Sequence, residues 1–79
     1  MATDYIVVDG ESVVMVGEPF VLRESGKVIA EQCKLIRIEA YGLVILDSAN
    51  VRKCVQFENV AEVNGLDCAG EESIKVHRG

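Results

Sequence analysis

Short runs of β-branched residues, interrupted every few positions by turn-forming clusters, recur from Tyr5 to Val76. The clearest block is Leu43 to Val63. Within it Leu43, Val44, Ile45 and Leu46 form a continuous apolar run, and Asp47, Ser48 and Asn50 form a polar turn. Val51, Val55 and Phe57 then return at the spacing of one strand face. Val60 and Val63 complete the block as a last short strand. The pattern predicts strand, turn, strand, a short break and a strand, the order of elements in a small β-barrel.

Upstream, Tyr5 to Val8 and Ser12 to Val16 flank Asp9-Gly10 and Glu11. Asp-Gly supplies the positive φ that tight hairpin turns need, so a hairpin is predicted there. Gly17, Glu18 and Pro19 break the pairing, because proline has no N–H to give a ladder, and a new element starts at Phe20. Phe20 to Arg23 and Lys27 to Ala30 flank Glu24-Ser25-Gly26, which reads as a second hairpin with Gly26 in the left-handed region.

Val28 to Ala40 carries two periods. Ile29, Cys33, Ile36 and Ala40 fall at helical spacing ahead of Gly42, whereas Ile36, Ile38 and Ala40 alternate with Arg37, Glu39 and Tyr41 as in a half-buried strand. A strand from about Cys33 is preferred, bent as the long strands of small barrels are. Asn64-Gly65 marks a further turn, Asp67 to Ser73 is small, polar and acidic, and Ile74 and Val76 alternate with Lys75 and His77 as a final edge strand. The expected organisation is one domain over 1–79: an N-terminal hairpin (1–17), a barrel core (20–63), and an acidic turn with an edge strand (64–79).

Composition agrees with that pattern. Valine and isoleucine supply 19 of the 79 residues, with one proline and no tryptophan, and such β-branched content favours strands over helices. A chain this short buries only about 60 to 65% of its unfolded surface, and small β-folds leave strand edges to be paired or blocked. Self-association is the expected remedy. Its longest apolar runs are far short of the roughly 20 residues of a membrane span, and no signal-peptide pattern opens the chain.

The net charge of −5 opposes non-specific nucleic-acid binding, which depends on cations that neutralise phosphates. The charge is unevenly spread. Residues 1–22 hold four acids and no base, residues 23–53 hold six bases against four acids, and the stretch from Cys54 is acidic again. Cys33, Cys54 and Cys68 are odd in number and lack the close spacing of a zinc site or a disulfide framework. They read as small hydrophobes in or near core strands of a cytoplasmic, reducing-compartment protein. The single histidine, His77, is the third residue from the end, no glycine-rich phosphate loop occurs, and Glu71-Glu72 are adjacent on a polar loop. Neither a catalytic set, a metal site nor a cofactor motif is present, so an enzyme is not expected.

The spacing of Val44-Ile45-Leu46, Val51, Val55, Val60 and Val63 resembles, without a gap, the corresponding segment of the Sm-like (Hfq-type) family, and Phe20 to Gly26 match its first strand and turn. The resemblance implies an all-β fold: a small, strongly bent barrel of five or more strands, Sm/SH3-like, with an added N-terminal hairpin. It also implies a homo-oligomeric ring. The chain departs from the family in having the Tyr5 to Val16 hairpin where an N-terminal helix is expected, and Phe57-Glu58 where the family carries a basic pair that contacts RNA.

The leading expectation is therefore a non-enzymatic oligomeric module acting through macromolecular contacts, chiefly with proteins, with Val51, Val55, Val60 and Val63 at the oligomer edge. The alternatives are an Sm-like ring that binds single-stranded RNA through Tyr41, Arg37, Arg52 and Lys53, and an acidic phage or virion accessory protein.

Overall fold

The β-branched runs form strands throughout the computed structural model, which describes residues 3–79; residues 1 and 2 of the expected 1–17 segment lie outside the described residues. Strand β1 (Tyr5–Val8) pairs antiparallel with β2 (Ser12–Met15). Asp9 and Gly10 both take positive φ, 51° and 70°, and the Glu11 N–H donates to the Val8 carbonyl, so Asp-Gly makes the predicted turn. On its other side β1 receives β9 (Ile74–His77), and the three form one sheet in the order β2-β1-β9. The expected final edge strand thus exists. It belongs to the N-terminal hairpin.

The second sheet has six strands. These are β3 (Pro19–Glu24), β4 (Glu31–Ile38), β5 (Gly42–Leu46), β6 (Arg52–Gln56), β7 (Val60–Val63) and β8 (Leu66–Asp67), ordered β6-β5-β4-β3-β7-β8 with every pairing antiparallel. Pro19 is the first residue of its strand, where a missing N–H costs the ladder least. A 3₁₀ turn, Phe57–Asn59, leads from β6 into β7 and buries Phe57, and a second, Gly70–Ser73, leads into β9. Asn64 (φ 51°) and Gly65 (φ 84°) form the β7–β8 turn.

Of the two periods in Val28 to Ala40, the strand prevails, over Glu31–Ile38, with a register shift between Leu35 and Arg37 that bends it. The expected strand Lys27 to Ala30 does not form. β4 pairs with β3 only up to Leu22↔Glu31, and the end of β3 turns to β7 at Glu24↔Val60. Residues 27–30 have no strand to join, which leaves Val28 94% and Ile29 76% exposed. Closure fails as well: among the described residues neither sheet closes on itself.

The two sheets instead share one core. Ile6, Val8, Val14 and Ile74 from the three-stranded sheet join Phe20, Leu22, Cys33, Leu35, Ile38, Leu43, Ile45, Val55, Phe57, Val60 and Val63 in a single buried cluster. Polar clasps tie the sheets at two corners. Asn64 accepts from the Val21 N–H, returns its own N–H to the Val21 carbonyl, and donates through its side chain to Ser12 on β2. Arg78, just past β9, donates to the Asp4 carboxylate and to the Ile38 carbonyl on β4. The Gly79 N–H and the Arg78 guanidinium together hold the Asp4 carboxyl below its ordinary pKa.

Gly42 marks a close approach of β5 to β6: a Cβ there would lie 2.4 Å from the Val55 carbonyl oxygen and 2.9 Å from the Gln56 Cα. Gly42→Ala is expected to destabilise the fold by about 1–3 kcal/mol, read as a lower urea midpoint at unchanged slope. Burial pushes the Cys33 thiol from its ordinary 9.0 to about 11. The unfolded chain loses this proton first, so the stability from the neutral thiol is complete below pH 9 and falls between pH 9 and about 11. Urea melts of Cys33→Ala, which has no thiol proton to lose, are expected to show a shallower decline than the parent over that interval.

Candidate functional site

The four residues expected to contact RNA are scattered over β4, the β4–β5 turn and β6. Tyr41, 60% exposed, sits in the β4–β5 turn near Gln56, Phe57, Glu58 and Glu71, at the end of β5 opposite Arg52 and Lys53. Arg37 lies on β4 and its Nε donates to Glu39. Arg52 is exposed at the start of β6, opposite Leu46. Lys53 follows it and donates from Nζ to Glu24 at the end of β3, although β4 and β5 lie between the two strands in the sheet order. That bond raises the lysine pKa further above its ordinary 10.5. Two of the three cations are thus paired with carboxylates, and Tyr41 stands among acidic groups.

Beside the Lys53–Glu24 pair, a cleft lined by Leu22, Ile29, Cys33 and Ile45 has a volume of about 20 Å³, room for about one water molecule. Among the described residues, no three histidine, cysteine or carboxylate side chains converge as a metal site, and no helix is long and apolar enough to cross a membrane.

The residues expected at an oligomer edge divide into two groups. Val55, Val60 and Val63 are 2%, 1% and 0% exposed and point into the core, whereas Val51, at the turn before β6, is 55% exposed. Their strands differ too. β7, which carries Val60 and Val63, has β3 on one side and β8 on the other, with the Cys68 N–H extending the second ladder to Ala61. β6, which carries Val55, pairs with β5 alone among the described residues.

The direction of each backbone group on β6 follows from its neighbours. The Asp47 N–H donates to Val51 and the Phe57 N–H to Tyr41, at the two ends of the β5–β6 ladder. Antiparallel ladders alternate, so Lys53 and Val55 also turn their N–H and C=O groups toward β5. Arg52, Cys54 and Gln56 turn theirs outward. The turn before β6 is pre-formed: the Asp47 carboxylate accepts from the Ala49 and Val51 N–H groups, and Asn50 takes φ 62°.

The other sheet edges are shorter or blocked. On β2, the same alternation, fixed by the Val16 N–H to Asp4 bond, turns Val13 and Met15 outward; Met15 is satisfied at both groups by Glu18, through its carboxylate and its N–H. On β9, the Ile74 N–H is taken by the Glu71 carbonyl. β8 has two residues. Edge strands left bare are templates for further pairing, and β6 offers the longest such row.

The three thiols occupy different environments. Cys33 is buried on the core face of β4, Cys68 is half-buried against the core with its pKa raised by burial, and Cys54 is exposed on the outer face of β6. Expected near core strands, they fit at Cys33 and Cys68. Cys54 departs from this because it alternates with Lys53 and Val55, which face the other way. No family model, curated protein or solved structure matches the chain.

Exposure orders the thiols by reactivity. Native protein treated with a thiol-specific reagent at pH 8 is expected to be modified first at Cys54 and at Cys33 only on unfolding, as read by peptide mass spectrometry.

Proposed function

We propose that the protein is a non-enzymatic interaction module that associates with copies of itself through a strand edge and works by contact with other macromolecules, chiefly proteins. The observation that carries this reading is the bare row of outward backbone groups at Arg52, Cys54 and Gln56, in a molecule whose other edges are short or occupied. Pairing such a row replaces solvated groups with inter-chain hydrogen bonds, as in other cases of strand addition.

The six-stranded sheet is read as a strongly bent Sm/SH3-like barrel wall. The Lys53–Glu24 contact across two intervening strands supports a strong curl, and the order β6-β5-β4-β3-β7 with a 3₁₀ turn before β7 fits that architecture. The three-stranded sheet packs against the same core through Ile6, Val8, Val14 and Ile74. An Sm-like ring on RNA is the weaker reading, since Arg37 and Lys53 are held by Glu39 and Glu24 and the exposed Tyr41 has Glu58 and Glu71 beside it. The free thiols fit a reducing, cytoplasmic setting.

Sedimentation under reducing conditions at micromolar concentration is expected to show an oligomer. Cys54→Pro removes an outward N–H without touching the β5 ladder, so it is expected to yield a folded monomer; a monodisperse monomer from the parent chain would defeat the reading. Titration with oligo-U at low salt is expected to show no binding. Salt-sensitive binding lost on Tyr41→Ala would favour the RNA ring instead.

A further inference from the structure

We infer that the occupant of the β6 edge is β6 of a second copy, paired antiparallel about a two-fold axis at Cys54. The inference rests on the proposed self-association and specifies its geometry. A head-to-tail ring would join β6 of one subunit to β7 of the next, but β8 and the Cys68 N–H already fill the outer side of β7 at Ala61, Glu62 and Val63. The bare edge is then left to pair with its own counterpart, and identical edges pair antiparallel under two-fold symmetry.

Backbone alternation and charge select the register. Outward groups sit at Arg52, Cys54 and Gln56, so placing Cys54 opposite Cys54 also places Arg52 opposite Gln56 and Gln56 opposite Arg52, for about six inter-chain hydrogen bonds. Sliding by one pair in either direction leaves about four. The central register also separates like charges. Arg52, exposed and outside the ion pairs of the described residues, lies opposite Gln56 of the second copy, at the end where that copy's chain enters the 3₁₀ turn that carries Glu58.

Charge is self-complementary over the whole edge as well. The start of β6 carries Arg52 and Lys53, whereas the region past its end carries Glu58 and Glu71 beside Tyr41. A two-fold axis sets each end against the other. The exposed Val51 of one copy then falls toward the end of β6 of the second, beside which the exposed Tyr41 stands.

The axis puts two exposed thiols on the same face of a continuous sheet. Cα atoms in a hydrogen-bonded antiparallel pair are about 5.5 Å apart, inside the range a disulfide spans. The test is thiol trapping of the full chain. Diamide takes the two thiol hydrogens, becoming a hydrazine, and the sulfurs join; a short bis-maleimide links them without oxidation. Most of the protein is expected to become a covalent dimer whose cross-linked peptide maps to Cys54–Cys54 with either reagent. In Cys54→Ser, adding both Arg52→Cys and Gln56→Cys is expected to restore cross-linking through a 52–56 link, while Arg52→Cys alone does not.

Sedimentation separates the two levels of failure. An oligomer under reducing conditions that yields no Cys54–Cys54 link, or that links 52 to 52, overturns the two-fold register and leaves self-association standing. An oligomer unaffected by Cys54→Pro places the contact elsewhere and overturns the edge assignment. A monomer under the same conditions removes both, and β6 is then an edge kept for an extended strand of another protein.

Discussion

Two open antiparallel sheets, each with one apolar face, are held together because neither face has another place to go. The three-stranded sheet presents Ile6, Val8, Val14 and Ile74, and the six-stranded sheet presents Leu35, Leu43, Ile45 and Val55 to the same cluster. Each fully buried side chain of this size contributes about 1.5–3 kcal/mol, and in a 79-residue chain there is no second core to share the task. Strand pairing, turns and edges are all arranged around that single interface.

The interface explains why the chain's two ends form one sheet. β1 and β2 alone are a hairpin, and isolated hairpins are marginal in water. Pairing β9 onto β1 adds Ile74 to the core and brings Arg78 to Asp4 and to the Ile38 carbonyl. Likewise Asn64, needed at positive φ for the β7–β8 turn, also acts as an extra residue of the ladder against Val21 and as a tie to Ser12. Small β-proteins gain stability by giving turn residues such second roles.

The same economy leaves a residue of unsatisfied potential at the rim. Glu18 blocks β2, Glu71 engages β9 and β8 covers β7, each by a local contact. β6 has no such guard. It follows a tightly preformed turn and ends in a 3₁₀ turn that buries Phe57, so its two ends are anchored while its outer side is open. An anchored, bare strand has already met the entropic cost of ordering, which makes it suited to pairing.

The sequence by itself determined most strands and turns, though not the two-residue β8 nor the unpaired course of Lys27 to Ala30. Asp9-Gly10, Asn64-Gly65 and the Asp47–Asn50 cluster announce turns through the backbone conformations those residues accept, and alternation in Leu43 to Val63 and Ile74 to His77 announces strands. Which strand neighbours which was decided only in three dimensions. Nothing local in Ile74 to His77 says that it pairs with Tyr5 to Val8, and Val60 and Val63 read as edge residues until β8 is seen to cover their strand. Lys53 looks available in sequence because its partner is distant along the chain: Glu24 reaches it only when the sheet curls, whereas Arg37 is held by Glu39 only two residues on. Period-two patterns report which face of a strand is buried. They carry no information about which edge is paired, since every residue has the same N–H and C=O, and so it was the tertiary structure that left β6, beside the expected Val51 and Val55, bare and covered β7, which carries Val60 and Val63.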